Sequence, residues 1–192
     1  MNRQVPVRAF IAIEIPDDVR REIAGLCRRL ASRRLDAKWV EPANMHLTLK
    51  FLGEIDPRVV PEIASAMGQG AVGVQPFELS VKGLGSFPPR GVPRVLWLGI
   101  HDQAERLAAM VKRLEALLAK LGIPPEGRKF TPHLTLARLR SRKGIEGLIA
   151  QLSEFSNVEL GSFLANRLVL FESQLTRHGA IHTPVATQPL GQ

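Results

Sequence analysis

Apolar and polar positions along the chain switch between the period of a strand and that of a helix. Val7–Ile15 is a nearly unbroken apolar run closed by Pro16, the pattern of a buried strand. Asp17 and Asp18 then supply an N-terminal cap and favourable charge for a helix reaching about Arg34, with Val19, Ile23, Leu26 and Leu30 on one stripe. Lys38–Val40 and His46–Leu52 read as strands, the second ended by Gly53, and Pro57–Met67 reads as a helix. Phe77–Val81 and Arg94–Ile100 are predicted strands joined through the loop segment GLGSFPPRGVP. Asp102–Leu121 is the clearest helix, with Leu107, Val111, Leu114 and Leu118 on one side and Gly122 and Pro124 as stop signals. Thr131–Leu139 is the next strand, Ile145–Leu152 a short helix, and Val158–Leu164, Leu168–Gln174 and Ala180–Thr187 three closing strands. No tether interrupts this order, since Gly122–Lys129 suffices only for a connection. The expectation is one α+β domain over residues 1–192.

Composition narrows the classes. With 192 residues, 45% of them hydrophobic, the chain can build a sizeable core, which excludes a disordered chain. The 16 Gly and 14 Pro fall without period, which excludes a collagen-like one. No apolar run approaches the roughly 18 residues of a membrane span, so no membrane partner is expected. The N-terminal segment reads as a strand and not a signal peptide, which predicts a cytoplasmic location. Cys27, the only cysteine, allows no internal disulfide and shares the apolar helix stripe, so it reads as a small buried hydrophobe. The net charge of +8, from 26 Lys and Arg against 18 Asp and Glu, suits an anionic partner through non-specific affinity and on-rate.

The chemistry lies in a repeated tetrapeptide: His46-Leu47-Thr48-Leu49 recurs as His133-Leu134-Thr135-Leu136, each copy opening a predicted strand. Side chains alternate along a strand, so each copy turns its Leu residues to a core and a histidine with a threonine to the other face. Two imidazoles across a groove form an acid–base pair near neutral pH, and the hydroxyls can donate to an oxyanion between them. A metal site fits less well: the motifs carry Thr where a carboxylate would stand, and neither has His-x-His or HExxH spacing. There is no GxSxG nucleophile elbow, and Gly83-Leu84-Gly85 lacks the third glycine of a dinucleotide fingerprint. No metal and no cofactor are expected. By strand parity Lys50 shares the face of His46 and Thr48, either touching a phosphate of the ligand or standing as a solvated strand-end lysine. The same parity puts Arg138 on the face opposite His133, unless a bulge near Ala137 returns it. Trp97 and Phe51 are read as core, and His101 and His178 as surface or loop histidines.

With RAFIAIEIP near the N-terminus, NMHLTLKFLGE, FPPRGVPRVLWLGI, RKFTPHLTLARL and LVLFESQLTRHGAIHTPVATQPL, the chain resembles the two-histidine phosphoesterase superfamily. Its flanks resemble the RNA 2',3'-cyclic phosphodiesterase branch, also called the 2'-5' RNA ligase family, from about Arg8 to Leu190. The resemblance implies a bilobal α+β fold: two pseudo-symmetric antiparallel sheets line a central cleft, with helices outside. It implies metal-independent hydrolysis of an RNA or nucleotide 2',3'-cyclic phosphate to a 2'-phosphomonoester, and, apart from the resemblance, a monomer is expected. It further implies His46 as proton donor, His133 as proton acceptor, Thr48 and Thr135 as phosphate-binding hydroxyls, and Arg138 near the phosphate. The alternatives are an RNA-end binding module without turnover and a phosphodiesterase for another diester, such as a 2'-5' linkage. The chain departs from the family near its C-terminus, where Gly179-Ala180-Ile181-His182 stands in place of a turn followed by Tyr, which leaves base preference open.

Overall fold

The computed structural model describes residues 5–31, 35–102, 104–177 and 179–191. The elements are β1 (Val7–Glu14), α1 (Asp17–Ala31), β2 (Ala37–Trp39), β3 (His46–Ile55), α2 (Val60–Ala71), β4 (Phe77–Phe87) and β5 (Val95–His101). They continue with α3 (Arg106–Ala119), β6 (His133–Leu139), α4 (Ile145–Glu154), β7 (Glu159–Ala165), β8 (Arg167–Leu175) and β9 (Ala180–Pro189). Every predicted element is present, with three informative differences at the boundaries. β3 runs through Gly53 to Ile55, because a glycine at φ 73° carries the strand where other residues would be strained. β4 extends through the first part of the segment read as a loop, since Leu84–Phe87 pair with Val95–Leu98 of β5. α3 starts later than expected: Asp102 acts ahead of it, its Oδ2 accepting from the Leu107 N–H at 2.7 Å. The predicted end of the first helix, residues 32–34, and His178 lie outside the described residues.

The strands form two antiparallel sheets, ordered β3-β1-β8-β9 and β2-β6-β5-β4-β7. The two motif strands fall in different sheets, β3 at an edge of the first and β6 inside the second, and they touch each other. One continuous cluster lies behind both sheets. It takes Ile11 and Leu47 from the first, Leu98 and Leu134 from the second, and Ile23, Met67 and Leu114 from α1, α2 and α3. With that core on one face of each sheet, the two remaining faces meet along β3 and β6 as the walls of a cleft. The first wall carries its own apolar patch of Phe10, Ala12, Val169 and Phe171. The first sheet is also curled: Asn44 Nδ2, just ahead of edge strand β3, donates to the Ala180 carbonyl at the start of the opposite edge strand β9 at 2.8 Å. No helix among the described residues is long and apolar enough to cross a membrane.

Candidate functional site

The two motifs fold alike down to an irregularity that alternation does not predict. In β3, Ala12 faces Thr48 and Ile11 faces Lys50, leaving Leu49 as an extra residue; in β6, Trp97 faces Thr135 and Leu96 faces Ala137, leaving Leu136 extra. Each HLTL therefore ends in a bulge at its second leucine. A bulge inserts one residue and so exchanges the faces beyond it. Up to the threonine the pattern holds: Leu47 and Leu134 are fully buried, and His46, Thr48, His133 and Thr135 are half-buried on the cleft side. Past the bulge, the fifth residue turns to the core and the sixth returns to the cleft.

That exchange corrects Lys50. It is 2% exposed, and its Nζ is held behind the sheet by Glu115 Oε2 at 3.1 Å and the Pro124 carbonyl at 2.7 Å. It is neither a phosphate contact nor a solvated lysine. The same exchange resolves Arg138 in the other direction: Ala137 is buried, and Arg138 is exposed on the face of His133 and Thr135, opposite Val95. Phe51, the counterpart of Arg138 in the first motif, is 52% exposed beside Phe10, with ring centroids 6.2 Å apart, so its reading as core is also corrected. Trp97 is half-buried. It lies across Gly85, where a Cβ would come within 2.3 Å of the indole, and its Nε1 is buried without a hydrogen-bond partner among the described residues. His101 is exposed, as expected.

Each motif histidine is fixed in the same tautomer. His46 Nδ1 donates to the Asn44 carbonyl at 2.8 Å and His133 Nδ1 to the Thr131 carbonyl at 2.7 Å. A carbonyl only accepts, so the proton sits on Nδ1 and Nε2 is left free to accept or, when charged, to donate. Their surroundings differ. His46 stacks on Phe10 at 4.5 Å and meets His182 edge-on at 5.2 Å. Burial in this aromatic pocket pushes its pKa down to about 4; the charges of His182 and Arg20 add to the fall, while the bond to Asn44 opposes it. His133 stands between Phe87 at 5.1 Å and Trp97 at 6.2 Å, both edge-on. His182 was legible only as the residue at the family's Tyr position; the curl of the first sheet, which no local pattern records, brings it against His46. Cys27, on the outer helix, is half-buried and its thiol is pushed up to about 11 by burial, in keeping with an inert side chain.

The faces of β3 and β6 turned away from the core thus carry two imidazoles, two hydroxyls and a guanidinium, a set suited to a tetrahedral or trigonal-bipyramidal oxyanion. Among the described residues no group of His, Cys, Asp and Glu has the arrangement of a metal site. The family LigT-like phosphoesterase matches the chain twice, over residues 13–97 and 98–182, one match to each motif. An RNA 2',3'-cyclic phosphodiesterase of Aquifex aeolicus is 36% identical over 188 residues, covering 96% of this chain and 98% of the relative. One of Methanothermobacter thermautotrophicus is 34% identical over 177 residues, covering 92% and 95%. Among solved structures, a protein of Thermus thermophilus superposes with a TM-score of 0.80 at 26% identity, covering 95% of this chain and 97% of that one. The ligand-free structure of Escherichia coli LigT superposes with a TM-score of 0.78 at 24% identity, covering 98% and 100%.

Proposed function

The chain belongs to the LigT-like phosphoesterase family, and from that premise we propose that it hydrolyses 2',3'-cyclic phosphates at RNA ends or on nucleotides to 2'-phosphomonoesters, without a metal. The observation that supports this reading is the duplicated motif geometry: in each copy the histidine and threonine share the face away from the core with Nε2 free, and the bulge after the second copy's threonine turns Arg138 to the face of His133 and Thr135. His133 Nε2 draws a proton from water as the water oxygen attacks phosphorus. His46 Nε2 gives a proton to the 3' oxygen as the P–O3' bond breaks. Thr48, Thr135 and Arg138 hold the non-bridging oxygens while their charge grows. The products are a 3' hydroxyl and a 2'-phosphate, and exchange with solvent returns both histidines to their starting states. The strained five-membered ring leaves the protein mainly the tasks of aligning water and moving two protons. His46 enters this cycle neutral and takes up its proton with the substrate, because the diester anion offsets the burial that holds its pKa near 4. The surplus of 26 basic over 18 acidic residues favours the approach of RNA.

The test is turnover of a short RNA with a cyclic phosphate end, in excess chelator, with the regiochemistry of the product determined. A 2'-phosphate end is expected. Tight binding without product would make the protein an RNA-end binding module, and loss of activity restored by one divalent ion would make the histidines ligands. Arg138 offers a finer check. Replacing its charge-assisted hydrogen bonds with Arg138→Gln should lower kcat/KM about 10–100-fold, the worth of roughly 1.5–3 kcal/mol. Steady-state kinetics on a cyclic mononucleotide would measure it, and an unchanged kcat/KM would leave Arg138 outside the phosphate site.

A further inference from the structure

We propose that His182 is a positioning residue for His46: an edge-on imidazole whose charge competes with that of His46 and so lowers further the pH at which His46 takes up its proton. The inference rests on the acid–base reading above and deepens it. Its geometric basis is the seam where the curled sheet brings its two edge strands together. Asn44 serves both sides of that seam, its carbonyl accepting from His46 Nδ1 at 2.8 Å and its Nδ2 donating to Ala180, two residues before His182, at 2.8 Å. The two rings are held 5.2 Å apart at 90°, and both pack on Phe10, at 4.5 Å for His46 and 5.0 Å for His182.

The groups around the pair supply no counter-charge. Glu14, the register partner of His46 on β1, is engaged by Arg167 at 2.6 Å. Arg20 of α1, itself paired with Asp17 at 2.9 Å, adds positive potential at His46. β8 presents Ser173 opposite His182 and Phe171 beside it, while Glu172 accepts from the Gln174 side chain at 3.1 Å. Two imidazolium charges at this distance without a carboxylate repel each other, so the pair accepts one proton far more readily than two. His182 Nδ1 is buried with no hydrogen-bond partner among the described residues, which disfavours a proton there as well. Burial lowers the pKa of both rings; His182, the less enclosed one, takes the first proton as pH falls, and its charge then opposes a proton on His46.

The imidazole Cε1 protons of the full chain, followed by NMR across pH without substrate, test the coupling independently of turnover. In the unmodified protein the His46 signal should move in two steps, one of them at the midpoint of His182; two independent single-step curves would overturn the proposal. In His182→Phe, which keeps a ring against Phe10 and removes the charge, the His46 midpoint should rise by about half a unit or more, a threefold or greater gain in proton affinity. His182→Gln should do the same with a smaller side chain, and a His46 midpoint unmoved or lowered in either folded variant would again overturn it. The limb of kcat/KM that His46 governs should move upward with the midpoint. A midpoint that rises while the rate profile stays in place would uphold the coupling and remove His46 from the acid–base role.

Discussion

His46→Ala is expected to lose about 10²–10⁴-fold in kcat/KM on a 2',3'-cyclic phosphate, and to recover most of that loss on a diester with a nitrophenolate leaving group. An alkoxide leaves poorly, so expelling the 3' oxygen depends on a proton donor; a nitrophenolate leaves without one. His133→Ala should be damaged on both substrates, because water must be activated in either case. Rescue of His133→Ala, with His46→Ala damaged on both, would exchange the two roles. Equal damage in both variants on both substrates would mean that the histidines chiefly bind phosphate. The pocket adds a condition on pH. A histidine whose pKa is lowered is neutral down to a lower pH than usual, and for His46 in the free site that limit lies near 4. A bound diester anion beside it favours the charged form and raises the limit. The limb assigned to His46 should therefore stand at higher pH in kcat, which reports the complex, than in kcat/KM, which reports the free protein. Coincident limbs would show that substrate does not charge His46.

Alternation along a strand was enough to place His46 with Thr48 and His133 with Thr135, because each pair lies ahead of its bulge. It failed from the next residue on. Lys50 has the parity of His46 yet faces the core, and Arg138 has the opposite parity to His133 yet faces the cleft. Nothing in HLTLKF marks the second leucine as the inserted residue, and in the second copy only the parity conflict of Arg138 pointed to a bulge near Ala137. In retrospect the pair Leu136-Ala137 offers a hint, two small or apolar residues in succession where a strict alternation would show a polar one. The first copy conceals the same hint, because the residue after Leu49 is a lysine, and a lysine reads as solvent-facing unless its partner, Glu115, is known to be waiting.

Tertiary distance accounts for the rest. Strand partners could not be read, because neighbours along the chain are dealt to different sheets: β2 joins β6 while β3 joins β1. The length of β4 was hidden for the same reason. Its glycines look like a loop until β5 pairs beside them, and Gly85 then turns out to be the space in which the Trp97 indole lies. His182 lies 136 residues beyond His46 along the chain, and only the curl of the first sheet makes them a pair. Helices were the most legible elements, since the stripes Val19–Leu30 and Leu107–Leu118 are local and both are buried as read.

Lys50→Ala is expected to unfold the protein more readily while sparing its contact with RNA. The Lys50 ammonium is enclosed behind β3, and its partner Glu115 has a side chain only 18% exposed. Glu115 Oε2 also accepts from the Glu126 N–H at 3.2 Å, so the pair pins the segment after α3, whose Pro124 carbonyl is bonded to Lys50 too. Removing the cation leaves a largely buried carboxylate and a carbonyl without a donor, which costs about 3–5 kcal/mol. For a chain of this size that lowers Tm by roughly 6–20 °C. The loss belongs to the stranded charge and not to the missing attraction, so Lys50→Met combined with Glu115→Leu should be far more stable than Lys50→Ala, given that matched apolar replacements of buried pairs are often near neutral. Thermal unfolding of the single and double variants measures this directly. The same proteins, assayed well below their Tm, should bind a cyclic-phosphate oligonucleotide with an unchanged salt slope. A Lys50 that touched an RNA phosphate would behave in the opposite way, reducing that slope by about one with little change in Tm.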